Sequence, residues 1–139
     1  MPSFHKRLRI ATKGNCDIID ITADVAKVVS LSELKNGTAT VFVPGATGSI
    51  TTVEYEPGLL QDLKALFEKM VPTRQDYAHN AAWQDDNGHS HLRASMLGPS
   101  MSIPFLSGKM TLGTWQQIVL IDFDCRARDR EVVVQVVGD

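Results

Sequence analysis

The sequence predicts an α+β fold. Stretches that alternate apolar and polar residues occupy both ends of the chain, two stretches with helical spacing lie between them, and the two patterns do not alternate strictly as βαβ units would. Residues 4–12 place Phe4, Lys6, Leu8 and Ile10 on one side and His5, Arg7 and Arg9 on the other, a strand with one wet face. Lys13-Gly14-Asn15 reads as a turn, with residues 16–21 returning as the second strand of a hairpin. Thr22 is placed to cap a helix over residues 23–35, whose stripe is Val25, Val28, Val29, Leu31 and Leu34 and whose stop is Asn36-Gly37.

Residues 38–43 and 49–55 read as paired strands joined by Pro44-Gly45-Ala46-Thr47-Gly48. Pro57 opens a second helix, in which Leu59, Leu60, Leu63, Leu66, Phe67 and Met70 recur at helical spacing until Pro72. From Pro72 to Pro99 the periodicity fails and polar residues crowd together, with Tyr77 and Trp83 as aromatic anchors and a short helical pattern over residues 91–97. Strand chemistry returns at 101–106, 110–112, 115–124 and 131–137. The runs Ile118-Val119-Leu120-Ile121 and Val132-Val133-Val134 imply strands shielded on both faces.

A chain of 139 residues that is 43% hydrophobic supports one compact domain over residues 1–139, and a second would be starved of core. Fourteen Lys and Arg against sixteen Asp and Glu give 14 − 16 = −2, which removes any global attraction to duplex DNA or an anionic membrane. The Arg7, Arg9 and 126–130 clusters are too small a basis for nucleic-acid binding. No run is apolar enough to span a membrane and the first residues lack a signal-peptide core, so a cytoplasmic protein is expected. Cys16 and Cys125 form no Cys-x-x-Cys pair and read as buried, reduced thiols.

Three of the four histidines, His79, His89 and His91, fall within thirteen residues, beside Asp85, Asp86 and Asn87. Imidazole and carboxylate suit zinc, iron or manganese. An extended His-x-His would aim both rings one way, whereas a helix entered at Ser90 would splay them, leaving His91 as the ligand and His89 beside it or on the surface. The bland alternative is a set of loop histidines bonded to neighbouring carboxylates. The small-residue turn 44–49 offers convergent backbone N–H groups and the hydroxyls of Thr47 and Ser49 to an anion, with Arg93 as a phosphate partner or else an ion pair of Asp85 or Asp86. Asp122, Asp124 and residues 126–130 read as a charged hairpin tip, and Trp115 as a core or interface anchor.

The stretch Asn87-Gly88-His89-Ser90-His91-Leu92-Arg93-Ala94-Ser95-Met96-Leu97-Gly98-Pro99-Ser100, with Ile103-Pro104, Leu112-Gly113-Thr114-Trp115-Gln116 and Val132-Val133-Val134-Gln135, resembles the YjbQ family, small proteins often described as secondary thiamine-phosphate synthases. The resemblance implies a distorted β-sandwich of about seven or eight mostly antiparallel strands, with two main helices and one short helix. It also implies a homotrimer with a polar site near the subunit boundary. Asn87 and His91 match the family's Asn-x-x-x-His, His79 its upstream loop histidine, and Glu54 its strand-end glutamate. Gly45 stands where many members have histidine, while Thr47 still fits.

The implied function is metal-assisted chemistry on a phosphorylated small molecule, with pyrophosphate displaced in thiamine-phosphate synthesis as one form. A divalent ion (zinc, magnesium, manganese or iron) would sit on His79 and His91, with His89 a further candidate. Glu54 and Asn87 would orient groups around it, and Thr47, Ser49 and Arg93 would receive phosphate. The competing reading is a noncatalytic trimer that binds a metabolite or uses its polar loop to join subunits.

Overall fold

The computed structural model describes all 139 residues. Its elements run β1 (Ser3–Thr12), β2 (Asp17–Asp20), α1 (Thr22–Leu31), β3 (Gly37–Phe42), β4 (Gly48–Val53), α2 (Pro57–Met70), α3 (Ala78–Trp83), α4 (Gly88–Leu97), β5 (Ser100–Leu106), β6 (Lys109–Met110), β7 (Gln117–Asp122) and β8 (Arg128–Gly138). All strand pairings are antiparallel, in a five-stranded sheet ordered β1-β8-β3-β5-β6 and a three-stranded sheet ordered β2-β7-β4. The α+β expectation holds. The helices number four rather than three.

The unbroken apolar run of β7 is explained by its place in the layers. Ile118 and Leu120 join the cluster built from β3, β5, β8 and α1, while Val119 and Ile121 join a second cluster with Ile18, Phe67, Ala94 and Phe123 beneath α2 and α4. Both faces of that strand are dry. In β8, Val132, Val134 and Val136 are buried while Val133 is half-buried, so the outer face of the larger sheet is only partly covered.

Neither expected hairpin forms. β1 pairs along its length with β8, from Ser3↔Val137 to Thr12↔Arg128, and β2 pairs with β7. Between them Gly14, Asn15 and Cys16 take φ of 76°, 54° and 64°, which carries the chain from one sheet to the other, and the Asn15 N–H donates to Asp124 O at 2.6 Å. β3 pairs with β5 and β8, and β4 with β7, so residues 44–47 are likewise a crossing. Long-range pairing that buries β7 on two sides outweighs the easier closure of a local hairpin.

A Cβ added at Gly14 would clash with Arg126 O, in a backbone conformation that costs an L-residue about 1–2 kcal/mol even without the clash. Gly14→Ala is therefore expected to lower the denaturant midpoint at an unchanged slope. A midpoint equal to the parent's would show that the crossing yields without cost.

α1 ends at Leu31, short of the expected Asn36-Gly37 stop, and Gly37 instead opens β3. Its cap also differs: Asp20 accepts from the Thr22 N–H at 2.9 Å and hydroxyl at 2.6 Å, and the Thr22 hydroxyl accepts from the Ile118 N–H at 2.8 Å. Thr22 is thus held in place by a carboxylate two residues earlier. α2 starts at Pro57 as predicted, with Glu56 accepting from the Gly58 and Leu59 N–H groups, which hold its carboxyl below the ordinary range. Its single fully buried side chain is Phe67.

Candidate functional site

The polar stretch after Pro72 is helical for much of its length. α3 was not anticipated, and α4 begins at Gly88 rather than at residue 91. The two helices approach closely because Gly88 has no side chain: a Cβ there would lie 2.7 Å from Tyr77 Cβ, and the Gly88 N–H donates to Asn80 Oδ1 at 2.8 Å. That contact sets His79 of α3 against His91 of α4, with ring centroids 4.3 Å apart and planes at 54°. With its NH2 turned toward the acceptors, Asn87 donates to Asp85 Oδ1 at 2.9 Å and to His79 Nε2 at 3.1 Å. The opposite orientation offers contacts to His79 Nε2 at 3.1 Å and to Asp124 at 3.4 Å but sets the amide oxygen against Asp85, so the network selects the first. Asn87 then fixes His79 as the tautomer protonated on Nδ1.

His91 is the junction of two cavities. One, of about 220 Å³, is lined by Gly45, Ala46, Gly48, His91, Ser95 and Gly98 among others; the second, of about 350 Å³, lies against Tyr77, His79 and Leu92. Neither ring nitrogen of His91 hydrogen-bonds within the chain, and the N–H groups of Gly45, Ala46 and Thr47 donate to none of its atoms. A half-buried imidazole with free nitrogens therefore faces a small-residue turn with free amides.

Helical geometry splays His89 from His91, as expected for entry at Ser90, but His89 is 2% exposed and not a surface residue. Its Nε2 lies 3.4 Å from Ser90 Oγ and 3.9 Å from Cys125 Sγ, away from the His79–His91 pair. Burial, with the Arg93 guanidinium, pushes its pKa down. Glu54 also stands apart, beside Tyr55, Trp115 and Gln117 in another cavity. It follows the far end of β4, roughly 20 Å along the strand from Gly48.

The side chains expected to receive phosphate are engaged elsewhere. Thr47 accepts from Arg130 Nη2 at 2.7 Å and donates to Asp124 Oδ2 at 3.2 Å, and the fully buried Ser49 donates to Ala94 O at 3.0 Å. Arg93 is buried; it pairs with Glu68 at 2.9 Å rather than with Asp85 or Asp86, and its Nε and Nη2 donate to Val71 O. Of the turn, the backbone N–H groups of Gly45 to Thr47 remain without a partner. No three His, Cys, Asp or Glu side chains converge to hold a metal ion. His79 and His91 would supply two imidazoles, so the residues of one chain do not by themselves fit a divalent ion.

Asp122 and Arg130 carry a role that the sequence reading missed. They form no hairpin tip: Arg130 Nε and Nη2 reach Asp122 Oδ2 and Oδ1 at 3.0 and 2.8 Å, between the sheets, with Thr12 donating to the same carboxylate. Burial alone would push the Asp122 carboxyl up; Arg130, Thr12 and the Asp124 N–H overcome it and hold the carboxyl below its ordinary range. The available signal was a carboxylate continuing an apolar run shielded on both faces, a place where a charge requires a partner. Cys16 is buried as expected, Cys125 is exposed, and Trp115 at 72% exposure anchors no core of this chain.

Comparison with known proteins agrees with this architecture. Residues 6–139 match the family model described as UPF0047 protein YjbQ-like. The chain is 38% identical over 138 residues to a UPF0047 protein of Methanothermobacter thermautotrophicus, covering 99% of this chain and 94% of the relative. It is 39% identical to one of Archaeoglobus fulgidus, covering 92% and 97%. Among solved structures, a YbjQ-like protein of unknown function from Sulfolobus solfataricus superposes with a TM-score of 0.95 at 31% identity, over 99% of both chains. An uncharacterized protein of the YjbQ/UPF0047 family from Clostridium acetobutylicum does so with a TM-score of 0.87 at 35% identity, over 95% of this chain and 99% of that one. With its matched motifs, sandwich and paired helices accounted for along nearly the whole length, the chain belongs to the YjbQ-like UPF0047 family.

Proposed function

We propose that the cleft between the 45–48 turn and α4 binds a phosphorylated small molecule, on which His91 acts as general acid or base. The observation that carries this is the free imidazole of His91 lining the cavity shared with the turn. The Gly45 and Ala46 amides receive phosphate oxygens, and His91 exchanges a proton with the reacting or leaving oxygen. The Asp85–Asn87–His79 chain is a positioning element that holds one face of His91. Glu54 and Arg93 take no part in this version of the site. No step runs through a metal ion.

Displacement of pyrophosphate from the pyrimidine-methyl diphosphate by the thiazole phosphate is the first reaction to test. The two precursors are incubated with the protein, with and without divalent ions, alongside simple phosphate esters, and released pyrophosphate or phosphate is followed. His91→Ala is expected to lower turnover by about 10²- to 10⁴-fold, the range a positioned acid or base contributes. An unchanged turnover number rules out the assignment.

A second reading, a noncatalytic trimer, draws on the apolar surface beside the cleft: Leu92 and Met96 of α4 are 48% and 51% exposed, and Trp83 of α3 is 72% exposed. It predicts no turnover with any phosphate ester and a trimer by light scattering that survives chelation.

A further inference from the structure

On the other side of α4 from His91, a smaller cavity of about 140 Å³ is enclosed by Asn15, Cys16, Lys64, Glu68, Thr73, His89 and Arg93. Two of its side chains are more than nine-tenths buried and carry a polar atom without a partner. His89 Nδ1 is fully shielded and bonds to nothing in the chain. Arg93 spends Nε and Nη2 on Val71 O and Glu68, while Nη1 donates to nothing. His89 Nδ1 is closed off from any ligand, whereas Arg93 Nη1 keeps access to the cavity, so an anion bound there gains a charge-assisted contact.

The chemistry of that ligand follows from the lining. Lys64 and Arg93 bring two positive charges against the one carboxylate of Glu68, which Arg93 and Thr73 already occupy. Donors therefore outnumber free acceptors, and the volume suits an ion of a few heavy atoms rather than a nucleotide. The Cys16 thiol lies on the same wall, held there by a left-handed backbone at φ 64°.

We propose that the cavity between α2, α4 and the 13–16 turn is a binding site for a small oxyanion of the phosphate class, held by Arg93 Nη1 and the Lys64 ammonium against the Cys16 thiol. This site is separate from the His91 cleft and does not rest on the function proposed for it.

The test uses the Cys125→Ser protein, so that Cys16 is the one thiol present. Inorganic phosphate and sulfate are titrated by calorimetry, and the rate at which a thiol reagent modifies Cys16 is followed at each anion concentration. Saturable binding at millimolar concentrations is expected, together with slower modification of Cys16 over the same range. Lys64→Ala, an exposed helix position, should weaken the affinity about tenfold, as loss of a charge-assisted contact does. Lys69→Ala on the same helix, outside the cavity, should leave it unchanged. Absence of saturable binding overturns the proposal. So does phosphate binding that leaves Cys16 unprotected, or equal affinities of the parent and Lys64→Ala proteins.

Discussion

Asp122→Asn is expected to remove about 3–5 kcal/mol of stability, the cost of leaving one member of a buried ion pair without its partner. Asp122 is fully buried and the Arg130 side chain is 4% exposed, so after the substitution water has little access to the guanidinium. That loss is a large share of the 5–15 kcal/mol typical of a domain, so equilibrium denaturation shows it as a large drop in midpoint. A drop under about 1 kcal/mol would mean that the pair is exchanged for other contacts at little cost.

The pH dependence has a defined sign. Asp122 has a folded-state pKa below its unfolded value, so its contribution is fully present above the ordinary carboxylate range and is lost as pH falls through the folded value. Asp124 is also lowered, burial being outweighed chiefly by the Cys125 N–H it accepts. The parent protein should therefore destabilise steeply below about pH 4. Asp122→Asn should show a shallower acid limb, with Asp124 still contributing.

Phe123→Ala is expected to cost about 3–5 kcal/mol and to loosen α2 selectively. Phe123 is fully buried and meets Phe67 edge to face, with centroids 5.0 Å apart and planes at 82°. Phe67 is the one side chain α2 buries completely, so this contact and the half-buried Leu60 and Leu63 hold the helix to the smaller sheet. Amide exchange should quicken in α2 well before it does in β8. Because Lys64 and Glu68 ride on that helix, the cavity beside Cys16 should open with it, and Cys16 should react faster with a thiol reagent. Uniform exchange across both elements would show that the two apolar clusters melt as one unit.

Local patterns made much of the secondary structure legible. Pro57 and the leucines after it located α2, since a proline at the first turn and a 3.6-residue stripe act within the helix itself. The apolar run of β7 correctly announced a strand dry on both faces. α3 was not legible, because six residues with no buried side chain carry no apolar stripe; their place depends on Tyr77, Asn80 and the bare Gly88 backbone. The hairpins were misread for a related reason: a Gly-Asn turn looks the same whether the chain folds back or crosses to another sheet.

For the candidate site, the residue types in the 79–91 segment were enough to select His79, Asn87 and His91, which the structure brings together. Their grouping with Glu54, Thr47, Ser49 and Arg93 was not decided locally. β4 carries Glu54 to its far end, and Thr47, Ser49 and Arg93 are bonded to Arg130 of β8, Ala94 of α4 and Glu68 of α2. The sequence by itself determined which segments could be strand or helix, because those preferences arise from neighbours within a few residues. Only the tertiary structure decided which polar side chains remain free for a ligand, because that depends on hydrogen-bond partners distant in the chain and on whether water can reach the group.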